Sequence, residues 1–174
     1  MKTTLFILSG ESFSGKSVLS KEIVKHYHAE IIGRDVVYRA IKDKLALEKT
    51  PEEDDRALWN NMWPIVVQGA KNLLLSGKSV VIDDTCLQLQ KRNDLRSVTN
   101  LTGAQVVLIY LDIPATILKD RKQKNKINKK RHDVPSVWIE DGAKYFDRPT
   151  ELENPIIYTF GQELKELFTQ IDNL

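Results

Sequence analysis

Only one cysteine, Cys86, occurs in the 174 residues, so no disulfide framework within the chain can hold the fold together. A lone thiol fits a reducing cytoplasm. With no histidine paired to it, Cys86 reads as a small buried side chain, not a nucleophile. Long apolar runs are missing as well. The first, Leu5-Phe6-Ile7-Leu8, is four residues long and ends in a glycine-containing loop, which suits a core strand and not a signal peptide. Nothing approaches the roughly 20 apolar residues that a membrane span needs. We therefore expect a cytoplasmic chain with no membrane partner. Histidine is scarce, and His26, His28 and His132 show no metal-ligand spacing, which argues against a zinc centre. Net charge is scarce too: 26 basic and 24 acidic residues leave +2, which by itself points to no class of partner. There are no internal repeats, no linker and no low-complexity segment beyond one lysine-rich stretch. One domain over residues 1–174 is the expectation, long enough to bury about 70% of its unfolded surface. Oligomeric state leaves no trace in the sequence.

What is present is an alternation of strand-like and helix-like patterns from end to end. Strands are expected at Leu5–Ser9, Glu30–Gly33, Ser79–Asp83, Gln105–Leu111 and Pro155–Phe160. Helices are expected at Lys16–Tyr27, Val36–Leu47, about Glu52–Ser76 with a kink near Pro64, Leu87–Leu101 and Gln162–Ile171. Another begins at Pro114, is interrupted by the lysine-rich stretch, and resumes over Pro135–Phe146. Such a βαβα order predicts a mostly parallel five-stranded sheet covered by helices on both faces, an α/β fold of three layers. Ligands in such folds sit beyond the carboxyl ends of the strands. Polar residues just after a strand are therefore the site candidates: Ser9–Ser17, Arg34-Asp35, Asp83-Asp84-Thr85 and Asp112.

Gly10-Glu11-Ser12-Phe13-Ser14-Gly15-Lys16-Ser17 satisfies G-x-x-x-x-G-K-[ST] at every fixed position, between the first strand and the first helix. The glycines let the backbone of Gly10, Ser12, Phe13, Ser14, Gly15 and Val18 wrap a phosphate, and the helix N-terminus adds its positive end. Lys16 supplies a point charge to the β- and γ-phosphates, and Ser17 offers a hydroxyl to Mg²⁺. The motif predicts a bound nucleoside triphosphate and the strand order 2-3-1-4-5 of P-loop NTPases.

Asp35, after the second strand, could take a proton from an attacking hydroxyl or could cap the helix that follows. Arg39 stands one turn later on the same face, where it could hold an anionic group of an acceptor. Asp83 and Asp84 end the third strand, where a carboxylate holds the Mg²⁺ shell opposite Ser17; one of the pair could instead serve the acceptor or a helix cap. Lys119–Arg131 holds eight basic residues against one acid. It reads as a solvated loop, as a lid bringing Arg121 or Arg131 onto the transferring phosphoryl group, or as a polyanion-binding patch. Glu52–Asp55 suit the start of a helix and carry no catalytic role. Trp59 and Trp63 read as core, with base stacking as the other reading.

In their order these blocks resemble the P-loop kinases of the polynucleotide kinase type, relatives of zeta toxins and nucleotide kinases. The resemblance runs over roughly residues 1–150, through Gly10–Ser17, Gly33-Arg34-Asp35, Val81–Thr85, Tyr110–Pro114 with Arg121, and His132–Pro135. It implies that Lys16 and Ser17 bind ATP and Mg²⁺, that Asp35 is the general base, and that Arg39 contacts an acceptor phosphate. In that family the arginine stands three residues after the aspartate, whereas Arg39 stands four after Asp35. The acid before the threonine maps to Asp84, and a lid arginine lies between Arg121 and Arg131, in a basic lid over about residues 115–135. A phosphatase half is not expected.

The reading is an ATP- and Mg²⁺-dependent kinase that phosphorylates a hydroxyl. The leading acceptor is the 5′-hydroxyl of a nucleic acid or nucleotide-like molecule. The rivals are a metabolite, sugar or antibiotic kinase, and an NTP-binding switch or toxin-like module.

Overall fold

A computed structural model describes residues 2–45, 59, 61–128 and 144–174. Among these, five strands form one sheet: β1 (Thr4–Ser9), β2 (Glu30–Ile32), β3 (Val80–Ile82), β4 (Gln105–Asp112) and β5 (Ile156–Thr159). Their order is β2-β3-β1-β4-β5 and every neighbouring pair is parallel. The helices are α1 (Lys16–Tyr27), α2 (Arg34–Leu45), α3 (Trp63–Leu75), α4 (Leu89–Thr102), α5 (Ala115–Asn128) and α6 (Leu164–Asp172). This is the three-layer P-loop NTPase architecture that the alternation predicts.

The two-residue period of β1 builds the layers. Phe6 and Leu8 turn to one face, where Leu19 and Ile23 of α1 and Leu167 and Ile171 of α6 cover them. Leu5 and Ile7 turn to the other, against Ala70 and Leu74 of α3 and Leu95 and Val98 of α4. A strand covered on both faces has no place for polar side chains, which is why β1, β3 and β4 read as almost unbroken apolar runs. The sheet centre is thereby dry, and the chemistry is confined to the strand ends.

Two glycines set how tightly the β2 edge closes. A Cβ on Gly33 would overlap the carbonyl of Asp83, and one on Gly69 of α3 would overlap the Ile32 side chain. The close approach at Gly33 lets the Asp83 N–H donate to the Ile32 carbonyl (2.9 Å) and brings Arg34 within reach of Asp84.

Three local expectations change. The second helix begins at Arg34, so Arg34 and Asp35 both lie in its first turn. The kink expected near Pro64 is a full break: Trp59 and Asn61 are helical, Met62 is a turn, and α3 starts at Trp63 with Pro64 in its first turn, where its missing N–H costs no helical hydrogen bond. The lysine-rich stretch does not interrupt α5, which runs unbroken to Asn128. Lysine, arginine and glutamine are good helix formers, and their charge alone does not unwind a helix. The 52–58 part of the expected long helix lies outside the described residues. So do Lys129, Lys130, Arg131, the His132–Pro135 block and the residues of the expected later helix up to 143.

Candidate active site

The Gly10–Ser17 loop leaves β1 and enters α1 through three left-handed or near-left-handed residues: Gly10 (φ 154°), Phe13 (φ 68°) and Gly15 (φ 107°). The loop folds tightly on itself. The Ser14 N–H donates to the Glu11 carbonyl (3.2 Å), and the Gly10 N–H reaches across to the Thr85 carbonyl after β3 (3.1 Å). A side chain at Gly10 would press on the Leu111 carbonyl and the Ser14 hydroxyl at 3.1 Å, so glycine is needed there for space as well as conformation. Buried Lys16 spans the loop, donating to the carbonyls of Gly10 (2.8 Å) and Glu11 (2.7 Å) and to Ser14 Oγ (3.3 Å). Val18 is exposed on the first turn of α1, and Ser12 is half-buried at the rim.

Arg121 reaches the loop from α5. Its Nη1 donates to the carbonyls of Phe13 (3.0 Å) and Ser14 (2.9 Å), and its guanidinium lies 5.7 Å from the ring of Phe160 at the end of β5. Of the two lid arginines named from the sequence, Arg121 is thus at the loop, while Arg131 falls outside the described residues.

The two aspartates after β3 part company. Ser17 Oγ donates to Asp83 Oδ1 at 3.2 Å, which joins the last residue of the loop to the strand beside it. Burial raises the Asp83 carboxyl above its ordinary range; Ser17 and Lys16 oppose this, and the charges of Asp35 and Asp84 add to it. Asp84 turns the other way and is buried. Arg34 grips it with a fork, Nε to Oδ2 and Nη2 to Oδ1, each 2.6 Å, and the Thr85 N–H donates to Oδ1 at 2.7 Å. Burial alone would push the Asp84 carboxyl up, but the charge and hydrogen bonds of Arg34 outweigh it and hold it at about 2. The guanidinium of Arg34 also lies 4.9 Å from the centre of the Trp59 ring.

Asp35 stands on the exposed side of the α2 first turn, and its side chain hydrogen-bonds to none of the described residues. Its charge is nonetheless felt at both Asp83 and Arg34. Arg39, also exposed, donates from Nε to the Asp35 carbonyl at 3.1 Å, along its own helix. Asp112, at the end of β4, accepts from the Tyr110 hydroxyl (3.1 Å). Cys86 is fully buried, and burial pushes its thiol far up, so it is an inert core group.

Arg92 is the residue that sequence reasoning missed. It is fully buried, donates to the carbonyls of Cys86 (3.0 Å) and Leu87 (2.9 Å), and forms a two-bond pair with Glu153 at 2.8 Å. Arg96 adds a bond to Glu153 at 2.7 Å. The network ties the segment after β3 to the turn at Glu151–Glu153. One signal was available: Arg92 shares the helical stripe of Leu95, Val98 and Thr99, all buried, and a charge in such a stripe needs a partner.

The residues present fit a nucleotide and a magnesium ion. The loop and Lys16 form a cradle for phosphate, and Ser17 beside Asp83 offers two of the hard oxygen ligands that Mg²⁺ prefers, the rest being water and phosphate. Among the described residues no three His, Cys, Asp or Glu side chains gather as a metal site of their own. None of the described helices is long and apolar enough to cross a membrane.

The fold has many relatives among solved structures. A candidate kinase from Chloroflexus aurantiacus is similar with a TM-score of 0.77 at 16% identity, over 99% of this chain and 98% of that one. The APS kinase of Mycobacterium tuberculosis, in complex with AMPPNP and APS, is similar at 0.66 and 16% identity, over 99% and 96%. A gluconokinase from Sinorhizobium meliloti is similar at 0.60 and 19% identity, over 96% and 88%. At these identities the likeness is one of fold. A comparison with curated proteins returns no match to this sequence. The model of the AAA_33 family, described as an AAA domain, matches residues 5–149, from β1 through the phosphate loop, Asp35, Asp83 and Arg121, and the chain belongs to that family.

Proposed function

We propose that the protein is an ATP- and Mg²⁺-dependent kinase that transfers the γ-phosphoryl group to a hydroxyl. The observation that carries this reading is the contact of Ser17 with Asp83, with the exposed Asp35 in the first turn of α2 close enough for its charge to act on Asp83. A site that only binds or hydrolyses a triphosphate needs the first two residues. The third is what an acceptor hydroxyl requires.

Asp35 takes the proton of the acceptor hydroxyl, whose oxygen attacks the γ-phosphorus in line as the bond to the β–γ bridging oxygen breaks. Lys16 leaves the loop carbonyls for the phosphate oxygens and follows the charge that builds there. Arg121, already at the loop among the described residues, is the lid cation assigned to that charge. Ser17 and Asp83 would hold Mg²⁺, which when bound neutralises charge on the β- and γ-phosphates. Asp84, its oxygens engaged by Arg34 and Thr85, serves to fix the β2–β3 edge.

For the acceptor, the basic helix α5 favours the 5′-hydroxyl of a nucleic acid or nucleotide-like molecule. None of its residues is buried, and Lys119, Lys124 and Lys126 are exposed along it. This is the acceptor class that the polynucleotide kinase resemblance implies. A small-molecule acceptor is the second reading, favoured by the fold shared with kinases named for APS and gluconate. Incubation with γ-labelled ATP and either a 5′-hydroxyl oligonucleotide or a metabolite panel tests both. Label on the oligonucleotide, with affinity falling steeply as salt rises, is expected. Label on metabolites alone would overturn the nucleic-acid reading, and label on water alone would overturn the kinase.

A further inference from the structure

Residues 83–88, between β3 and α4, have no regular secondary structure, yet Cys86 and Leu87 within them are buried. Buried carbonyls outside a helix or strand must find donors elsewhere. Two donors come from the chain that feeds the phosphate loop: the Gly10 N–H gives to the Thr85 carbonyl (3.1 Å) and Ser9 Oγ to the Cys86 carbonyl (3.1 Å). From α4, Arg92 Nη1 donates to the same Cys86 carbonyl (3.0 Å) and to that of Leu87 (2.9 Å). The Asp147 N–H completes the set at Leu87 (3.0 Å). Nε and Nη2 of Arg92 are held by Glu153, each at 2.8 Å, so the guanidinium is fixed in place.

Stability alone does not account for this arrangement. Arg92 is fully buried, and apolar side chains of similar volume hold a core as well as a buried ion pair does. What they cannot do is hold a carbonyl. The carbonyl shared by Ser9 and Arg92 belongs to a strained residue. Cys86 has φ 42°, in the left-handed region that a residue with a side chain keeps only where its surroundings hold it. This bend follows closely on Asp83. Among the described residues, the Asp83 side chain hydrogen-bonds to Ser17 Oγ alone, at 3.2 Å, so its direction depends on the backbone that carries it.

We propose that Arg92, anchored by Glu153, is a positioning residue: through the turn at residues 85–87 it sets the Asp83 carboxylate against Ser17, and so sets how well that pair holds Mg²⁺ on a bound triphosphate. This rests on the part of the kinase reading that gives Mg²⁺ to Ser17 and Asp83. It does not depend on which hydroxyl accepts the phosphoryl group.

Calorimetric titration of the full chain with AMPPNP, with Mg²⁺ and without it, gives the factor by which Mg²⁺ strengthens nucleotide binding. Arg92→Lys keeps the charge facing Glu153 but replaces the fork by a single nitrogen. It should reduce that factor by about tenfold or more and leave the Kd without Mg²⁺ unaltered. Should Arg92→Lys not fold, Glu153→Gln, which sets an amide N–H against the guanidinium, carries the test with the same expected fall. Arg96→Ala is the control. It too removes a bond to Glu153 (2.7 Å), but Arg96 donates to no carbonyl of the turn, so it should lower the thermal midpoint and leave the factor unchanged. A factor that survives in Arg92→Lys, or one lost equally in Arg96→Ala, overturns the positioning role and leaves the kinase reading standing. A wild type whose AMPPNP binding ignores Mg²⁺ overturns the metal assignment and this role with it. Labelled transfer is measured separately: a factor lost with Arg92 but no transfer by the wild type would uphold the role and sink the kinase reading.

Discussion

Lys16 and Arg121 both lie against carbonyls of the phosphate loop, whereas the side chain of Asp35, just after the edge strand β2, hydrogen-bonds to none of the described residues. The triphosphate side is held together by its own backbone. Its cations are positioned in advance, and binding exchanges one set of oxygen partners for another. The side proposed for the acceptor is built on the Arg34–Asp84 pair closed over Gly33, with the Asp35 carboxylate exposed beyond it. The contrast separates what every triphosphate-binding loop must do from what distinguishes this chain, and on the proposed kinase reading the acceptor would bind at β2, β3 and the helices that follow them.

The largest effect should come from removing the unengaged carboxylate. Asp35→Asn should lower phosphoryl transfer by about 10²–10⁴-fold while Mg²⁺–ATP still binds, as followed by label transfer and calorimetry. A variant within tenfold of the wild type would move the base elsewhere and dissolve the contrast between the two sides. Next comes the base of the acceptor side. Asp84→Asn leaves Arg34 buried without its counter-charge and should cost about 3–5 kcal/mol of stability, read from the midpoint of chemical denaturation.

The same pair sets an acid limit. Asp84 titrates at about 2 in the fold, below its value in an unfolded chain, so its contribution is present above about pH 4 and is lost as pH falls through about 2. Asp84→Asn should flatten the stability profile in that window, and an unchanged profile would place the acid sensitivity at another group such as Glu153. A smaller loss, about 1–3 kcal/mol, is expected for Gly33→Ala, since its Cβ meets the Asp83 carbonyl and not a side chain that can turn away. Arg39→Ala should be the mildest. Its bond runs to its own helix, so stability should stay within about 0.5 kcal/mol of the wild type, with any effect confined to KM for the acceptor. A raised KM for ATP instead would place Arg39 on the wrong side of the comparison.

Much of the triphosphate side was legible in the residues. G-x-x-x-x-G-K-[ST] is a local pattern: its glycines, lysine and serine act within a few residues of one another, so their spacing carries their geometry. The sheet was legible for a similar reason, because apolar runs of strand length separated by helical periods allow few arrangements. The acceptor side was harder. Asp83 and Asp84 are adjacent and chemically alike, and only the bend of the chain just after β3 sends one to Ser17 and the other to Arg34. Arg92 had no motif to mark it, and the Gly33-Arg34-Asp35 block did not say what Arg34 would grip. Each takes its meaning from a residue dozens of positions away, Arg34 from Asp84 and Arg92 from Glu153.

Residue order alone was therefore sufficient for the layer architecture and the phosphate cradle, whose interactions are short-range or periodic. The division of labour between the two aspartates, the continuity of α5 through its lysines and the buried Arg92–Glu153 pair emerged only with the fold. Burial and charge pairing depend on which helices meet at the strand ends, and that is a property of packing between segments distant in the chain.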